Sequence, residues 1–133
     1  MEKTIPQTII IAEDDPIIRS LYKEELEKGG YIVKVAQDGI EALEILKENK
    51  ADLLLLDIMM PRKSGLDVLA EMKQDQTLLN IPVFILSALG DADDKARGLA
   101  LGAARYIAKA ETIPGKVIQE VNDFFASQNF DKA

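Results

Sequence analysis

Cysteine and histidine are both absent from the 133 residues of this chain. The first absence removes disulfides, thiolate catalysis and cysteine-based zinc sites. The second removes a histidine base, a histidine metal ligand and a phosphohistidine relay within the chain. Positive charge is scarce as well: 16 Lys and Arg stand against 23 Asp and Glu, a net charge of −7. A basic nucleic-acid footprint is missing, which argues against DNA or RNA as a direct ligand. No stretch approaches the roughly 18–20 apolar residues of a membrane span. The segment from Met1 to Gln7 is polar and lacks the apolar core of a signal peptide. The expected location is the cytoplasm, with no membrane partner.

What is present has a pattern. Composition is globular, 47% hydrophobic and 29% charged. The length fits one domain spanning residues 1–133, its core about 7–127, with short tails. Four apolar runs each end on a polar residue: Ile9-Ile10-Ile11-Ala12 before Glu13-Asp14, Leu53-Leu54-Leu55-Leu56 before Asp57, Val83-Phe84-Ile85-Leu86 before Ser87, and Tyr106-Ile107-Ala108 before Lys109. Short runs that are apolar on both faces are the signature of buried parallel strands. In such a sheet all C-terminal strand ends share one edge, where ligands of open α/β sheets bind. Three acids, a hydroxyl and an ammonium are thereby set on one rim, a grouping suited to a divalent cation and a phosphoryl group. Taken singly, each residue also has an ordinary reading as a helix cap, a turn hydroxyl or a solvated lysine. Clustering decides for Glu13 and Asp14, because three acids brought together without a cation repel.

Helical patterns alternate with these strands. Asp15 reads as an N-cap and Pro16 as the first residue of a helix that Gly29-Gly30 stops. Ile17, Ile18, Leu21, Tyr22 and Leu26 supply its 3.6-residue period. A second strand is expected over 31–36 and a second helix over 39–49. Pro61 and Gly65 break the loop after Asp57, and a third helix follows over 66–74. A fourth helix is expected over 91–101 and a last one over 114–127, with the tail from Gln128 fraying. Five βα units with short connections imply right-handed crossovers and helices on both sheet faces.

These residues make the chain recognisable. Glu13-Asp14 followed by Asp15-Pro16, Leu55-Leu56-Asp57-Ile58-Met59-Met60-Pro61 with Gly65 eight residues after the aspartate, Ser87-Ala88, and Gly102-Ala103 through Tyr106 to Lys109 together resemble the receiver domain of two-component response regulators. The resemblance covers nearly the whole chain and is closest to stand-alone, chemotaxis-type receivers. It implies a flavodoxin-like, doubly wound (βα)5 fold with a five-stranded parallel sheet in the order 2-1-3-4-5. It implies that Asp57 accepts a phosphoryl group. Mg²⁺, or Mn²⁺ in its place, would be held by Asp14, Asp57 and the backbone carbonyl of Met59, with Glu13 acting through water. Lys109 would contact the phosphoryl oxygens, Ser87 would hydrogen-bond them after transfer, and Tyr106 would swing inward with it. Such a domain is a phosphoacceptor rather than an enzyme acting on a separate substrate, although it catalyses its own phosphorylation and slow dephosphorylation. Its partners would be a sensor histidine kinase or phosphotransfer protein and a downstream protein docking on the fourth helix, fifth strand and fifth helix. The expected state is a monomer or a weak, phosphorylation-dependent dimer.

The chain departs from the family pattern in places. The family's proline after the lysine is replaced by Ala110, and its commoner threonine by Ser87. Met59 and Leu89 occupy positions that tune hydrolysis, and neither side chain can hydrogen-bond an attacking water. Rival readings fit less well. A haloacid-dehalogenase-type phosphatase needs a second acid where Met59 stands. A flavin-binding flavodoxin wants a glycine- and hydroxyl-rich loop where Glu13-Asp14-Asp15 would repel phosphate. A protein-interaction module that keeps the fold without phosphorylation is opposed by the intact set of acids, hydroxyl and lysine. The short segment after the last helix leads to the expectation of a stand-alone or excised receiver with no output domain.

Overall fold

Each apolar run forms a strand in the computed structural model, which describes residues 5–87, 92–108 and 114–132. The order of elements is β1 (Thr8–Ala12), α1 (Pro16–Lys28), β2 (Ile32–Ala36), α2 (Gly39–Glu48), β3 (Leu53–Asp57), α3 (Gly65–Lys73), β4 (Val83–Ser87), α4 (Ala92–Ala100), β5 (Arg105–Ala108) and α5 (Pro114–Lys132). The strands form one sheet in the order β2-β1-β3-β4-β5, and every pairing is parallel. This is the expected flavodoxin-like topology.

Burial explains why β1 and β3 read as unbroken apolar runs. Ile9, Ile10, Ile11 and Leu53 through Leu56 have no exposed surface. Alternate side chains point to opposite faces, so helices must cover both. Ile9, Ile11, Leu53, Leu55 and Phe84 pack with Tyr22 and Leu26 of α1 and Val117, Val121 and Phe125 of α5. Ile10, Leu54, Leu56 and Ile85 pack on the other face with Leu43 and Leu46 of α2 and Leu66, Leu69 and Met72 of α3. At about 1.5–3 kcal/mol per large side chain buried, the central strands dominate the stability of the sheet and hold its edge still.

Local signals set most helix ends. Asp15 caps α1, its Oδ1 accepting from the backbone N–H of Ile17 and Ile18. Gly30 takes φ 95° just past the helix end, a conformation that suits glycine. Three expectations need correction. The α1 stripe is not all core: Ile17 and Leu21 are exposed, and Tyr22 and Leu26 carry the packing. Gly65 starts α3 instead of breaking the loop before it, because Ser64 accepts from the Asp67 N–H and caps the helix. The segment after Ser127 continues α5 to Lys132, since no glycine or proline interrupts it.

Candidate functional site

The strand order reverses at β1, whose C-terminal end lies between those of β2 and β3. A crevice at such a point is the usual ligand site of an open parallel sheet. Glu13 and Asp14 leave β1 there, and Asp57 ends β3 beside them. One carboxylate oxygen from each of the three lies within 4.8 Å of the others. Glu13 and Asp57 are buried, while Asp14 is exposed. The Glu13 backbone is fixed on both sides. The Glu13 N–H donates to the Ala36 carbonyl at 3.0 Å, and Arg19 Nη1 donates to the Glu13 carbonyl at 2.8 Å. The Glu13 carboxylate accepts from the Asp15 N–H at 3.2 Å.

A hard divalent cation fits this donor set. The three side-chain donors are carboxylate oxygens, and the chain has no cysteine thiolate or imidazole to compete with them. A span of 4.8 Å is close to the roughly 4.2 Å across an octahedral ion with oxygens at about 2.1 Å, with room for one ligand acting through water. Asp14 also borders an open cleft of about 590 Å³ lined by Ile58, Met59, Met60, Pro61 and Ser64.

Gly65 makes the approach to Asp57 possible. A Cβ on it would lie 2.0 Å from the Asp57 carbonyl oxygen and 2.9 Å from its carbon. The Gly65 N–H donates to the Ile58 carbonyl at 2.8 Å, closing the base of the β3–α3 loop. Ser87 ends β4 on the same edge and is buried. Tyr106 on β5 is half-buried and packs against the α2–α3 side of the core, in register with Ile85. Lys109, the Lys109–Ala110 bond, Ala88 and Leu89 lie outside the described residues.

A model of the response regulator receiver domain matches residues 9–121. The chain belongs to that family. A further similarity is to the transcriptional regulatory protein CpxR of Klebsiella pneumoniae, 45% identical over 101 residues that cover 76% of this chain and 42% of CpxR. The receiver domain described here thus spans about two fifths of that relative's length. Among solved structures, the phosphorylated cyanobacterial phytochrome response regulator RcpA matches at 32% identity and TM-score 0.79, covering 90% of this chain and 91% of its own. The Mn²⁺-bound response regulator Rcp1 matches at 28% identity and TM-score 0.81, covering 90% and 94%. The receiver domain is therefore a two-component signalling module. None of its described helices is long and apolar enough to cross a membrane.

Sequence reasoning missed two residues beside this site. Arg62 is the one non-glycine residue of positive φ among those described, at 67°. Its Nε and Nη2 each donate to an Asp38 carboxylate oxygen at 3.0 Å, and Nη2 lies 2.8 Å from Oδ2. Asp38 also caps α2, accepting from the Glu41 N–H at 2.8 Å. That N–H, with the Arg62 guanidinium, holds the Asp38 carboxyl below its ordinary value against the opposing effect of burial. Asp38 before Gly39 carries a cap signal in the sequence. Its pairing with Arg62, 24 residues away, carries none.

Proposed function

We propose that this receiver accepts a phosphoryl group on Asp57 in a Mg²⁺-dependent reaction and in doing so switches a protein-docking surface. The observation that carries this reading is the convergence of Glu13, Asp14 and Asp57 oxygens within 4.8 Å at the switch point of the sheet. The Mn²⁺-bound and phosphorylated states of the two similar regulators support it. In the reaction, an Asp57 carboxylate oxygen attacks the phosphorus of the donor. The bond from phosphorus to the donor's nitrogen or oxygen breaks, and the leaving group takes its electron pair. A cation bound at the acids would offset the charge of the incoming group. Asp14, Asp57 and the Met59 carbonyl are assigned as direct ligands and Glu13 as a ligand through water. Lys109 is assigned to the phosphoryl oxygens. Little covalent work is left to the protein, so fixed positioning matters most. The rigid ends of β1 and β3 provide it.

The test is intact-mass measurement after incubation with phosphoramidate or acetyl phosphate and Mg²⁺. One phosphoryl group per chain is expected, removable by hydroxylamine and absent when the metal is chelated. No mass gain under these conditions would refute the reading. The donor in the cell would be a sensor histidine kinase or a phosphotransfer protein.

Ligand roles can be ranked by titration. Asp14→Ala is expected to weaken Mg²⁺ binding by more than tenfold, and Glu13→Ala by less, because a ligand acting through water contributes indirectly. Unaltered affinity in Asp14→Ala would remove it from the inner set.

The docking surface is assigned to α4, β5 and α5. Ser87 ends β4 at a buried position opposite Ala108, and Tyr106 sits half-buried on the adjacent β5, in register with Ile85. New phosphoryl oxygens near Ser87 would recruit its hydroxyl, and space vacated there could admit Tyr106. With beryllofluoride as phosphoryl mimic, hydrogen exchange is expected to change most in residues 87–112. A change confined to residues 16–50 would contradict this assignment.

A further inference from the structure

The β3–α3 loop is held at an unusual point. The Lys63 N–H donates to the Pro61 carbonyl at 2.7 Å, closing a three-residue turn around Arg62 at φ 67°. A turn of this kind with a positive-φ centre is the rare, strained form, and a non-glycine residue stays in it only when its surroundings hold it there. Arg62 is held by a forked contact to Asp38, a geometry more restrictive than a single point charge. Asp38 is nearly buried and is itself fixed as the cap of α2. Beside it, the Lys63 carbonyl comes so near Gly39 that a Cβ there would lie 2.2 Å from the oxygen. At its far end the loop is tied by the Gly65 N–H to the Ile58 carbonyl. The stretch Met59–Pro61 is thus strung between two fixed points, and it lines the cleft beside Asp14.

We propose that Arg62 and Asp38 form a positioning clamp for the cation site, fixing the loop that carries the Met59 carbonyl relative to Asp14 and Asp57. This rests on the metal reading above. A purely stabilising ion pair is a weaker explanation. The Arg62 side chain is 55% exposed against 9% for Asp38, so solvent screens the guanidinium end and discounts what the pair adds to stability. A fork that locks a strained turn next to a ligand-bearing segment acts through geometry instead. Neither residue touches the metal.

The experiment measures Mn²⁺ affinity from the electron paramagnetic resonance signal of the free ion, well below the unfolding midpoint of each metal-free variant. Under that condition a mere loss of stability leaves the affinity of the folded protein unmoved. Arg62→Gly removes the fork, and glycine accepts this φ readily, so no strain is added. Asp38→Asn keeps a good helix cap and loses the charge. Each is expected to weaken Mn²⁺ binding by about tenfold, as loss of outer partners of metal ligands does. The double variant is expected to be no weaker than the poorer single one, because one clamp can be opened only once. Arg62→Lys, with charge but no fork, is expected to fall in between. Wild-type affinity in Arg62→Gly, alongside lost affinity in Asp14→Ala, would overturn the clamp and leave the metal site standing. So would single effects that multiply to about a hundredfold in the double variant. Absence of Mn²⁺ binding in the wild type, or binding unimpaired in Asp14→Ala, would instead overturn the metal reading and the clamp with it.

Discussion

Asp57→Asn is expected to take up no phosphoryl group from phosphoramidate or acetyl phosphate, where the wild type takes up one. Asn keeps the shape of the side chain and loses the nucleophilic oxygen charge, so the loss should be complete rather than graded. Stability is expected to change in the opposite direction. Asp57 is buried beside Glu13 and Asp14, with oxygens within 4.8 Å. Two unit charges at that separation repel by about 3.5 kcal/mol at an effective dielectric constant near 20. The exposure of Asp14 lets solvent and salt screen much of this. Metal-free Asp57→Asn is therefore expected to be more stable than wild type by on the order of 1 kcal/mol. Mg²⁺ should reverse the order, because a ligand at a hundred times its dissociation constant adds about 2.7 kcal/mol to the protein that binds it, and the variant binds it less well. Denaturant unfolding with and without Mg²⁺, together with intact mass, checks all three outcomes. Equal labelling of the variant would show that the phosphoryl group goes elsewhere.

Gly65→Ala is expected to damage stability and phosphorylation together. The added Cβ would meet the Asp57 carbonyl oxygen at 2.0 Å and the Ile58 Cα at 3.0 Å. These are backbone atoms of a buried strand and its exit, so no flexible side chain can turn aside. Alanine favours a helix over glycine by up to about 1 kcal/mol, but overpacking of this kind costs about 1–3 kcal/mol and occasionally more. A net loss of about 2 kcal/mol should lower Tm by roughly 8 °C in a domain of this size. Relief of the clash must move the end of β3 or the start of α3, and Asp57 with it. A shift of about 1 Å at a reacting group can reduce the rate by about a hundredfold, so phosphoryl uptake should slow by at least tenfold. Gly115→Ala is the control. It sits in the first turn of α5 with nothing within 4 Å of its Cβ position, and should be neutral or stabilising by up to about 1 kcal/mol. A Gly65→Ala protein with wild-type Tm and uptake would show that the loop yields freely.

The order of elements and the gathering of the three acids at one sheet edge were legible in the chain itself. Three apolar runs, ending on Glu13-Asp14, Asp57 and Ser87, mark strands buried on both faces, because only such strands need to be apolar throughout. The run before Lys109 forms the edge strand β5, where Ile107 alone is buried. Parallel strands put their ends on one edge, so the acids had to meet near it. The caps Asp15 and Pro16 are local signals, and local signals are written in neighbouring residues. Which apolar residues of α1 face the core was not legible, since Ile17 and Leu21 share the period of Tyr22 and Leu26 and only the path of the sheet leaves them exposed. The separation of the three carboxylates, the close seat of Gly65 on Asp57 and the Arg62–Asp38 fork were decided by tertiary structure alone. The carboxylate cluster and the fork join segments that the sequence keeps well apart, and the Gly65 seat is a distance across a folded loop, which no propensity or spacing encodes.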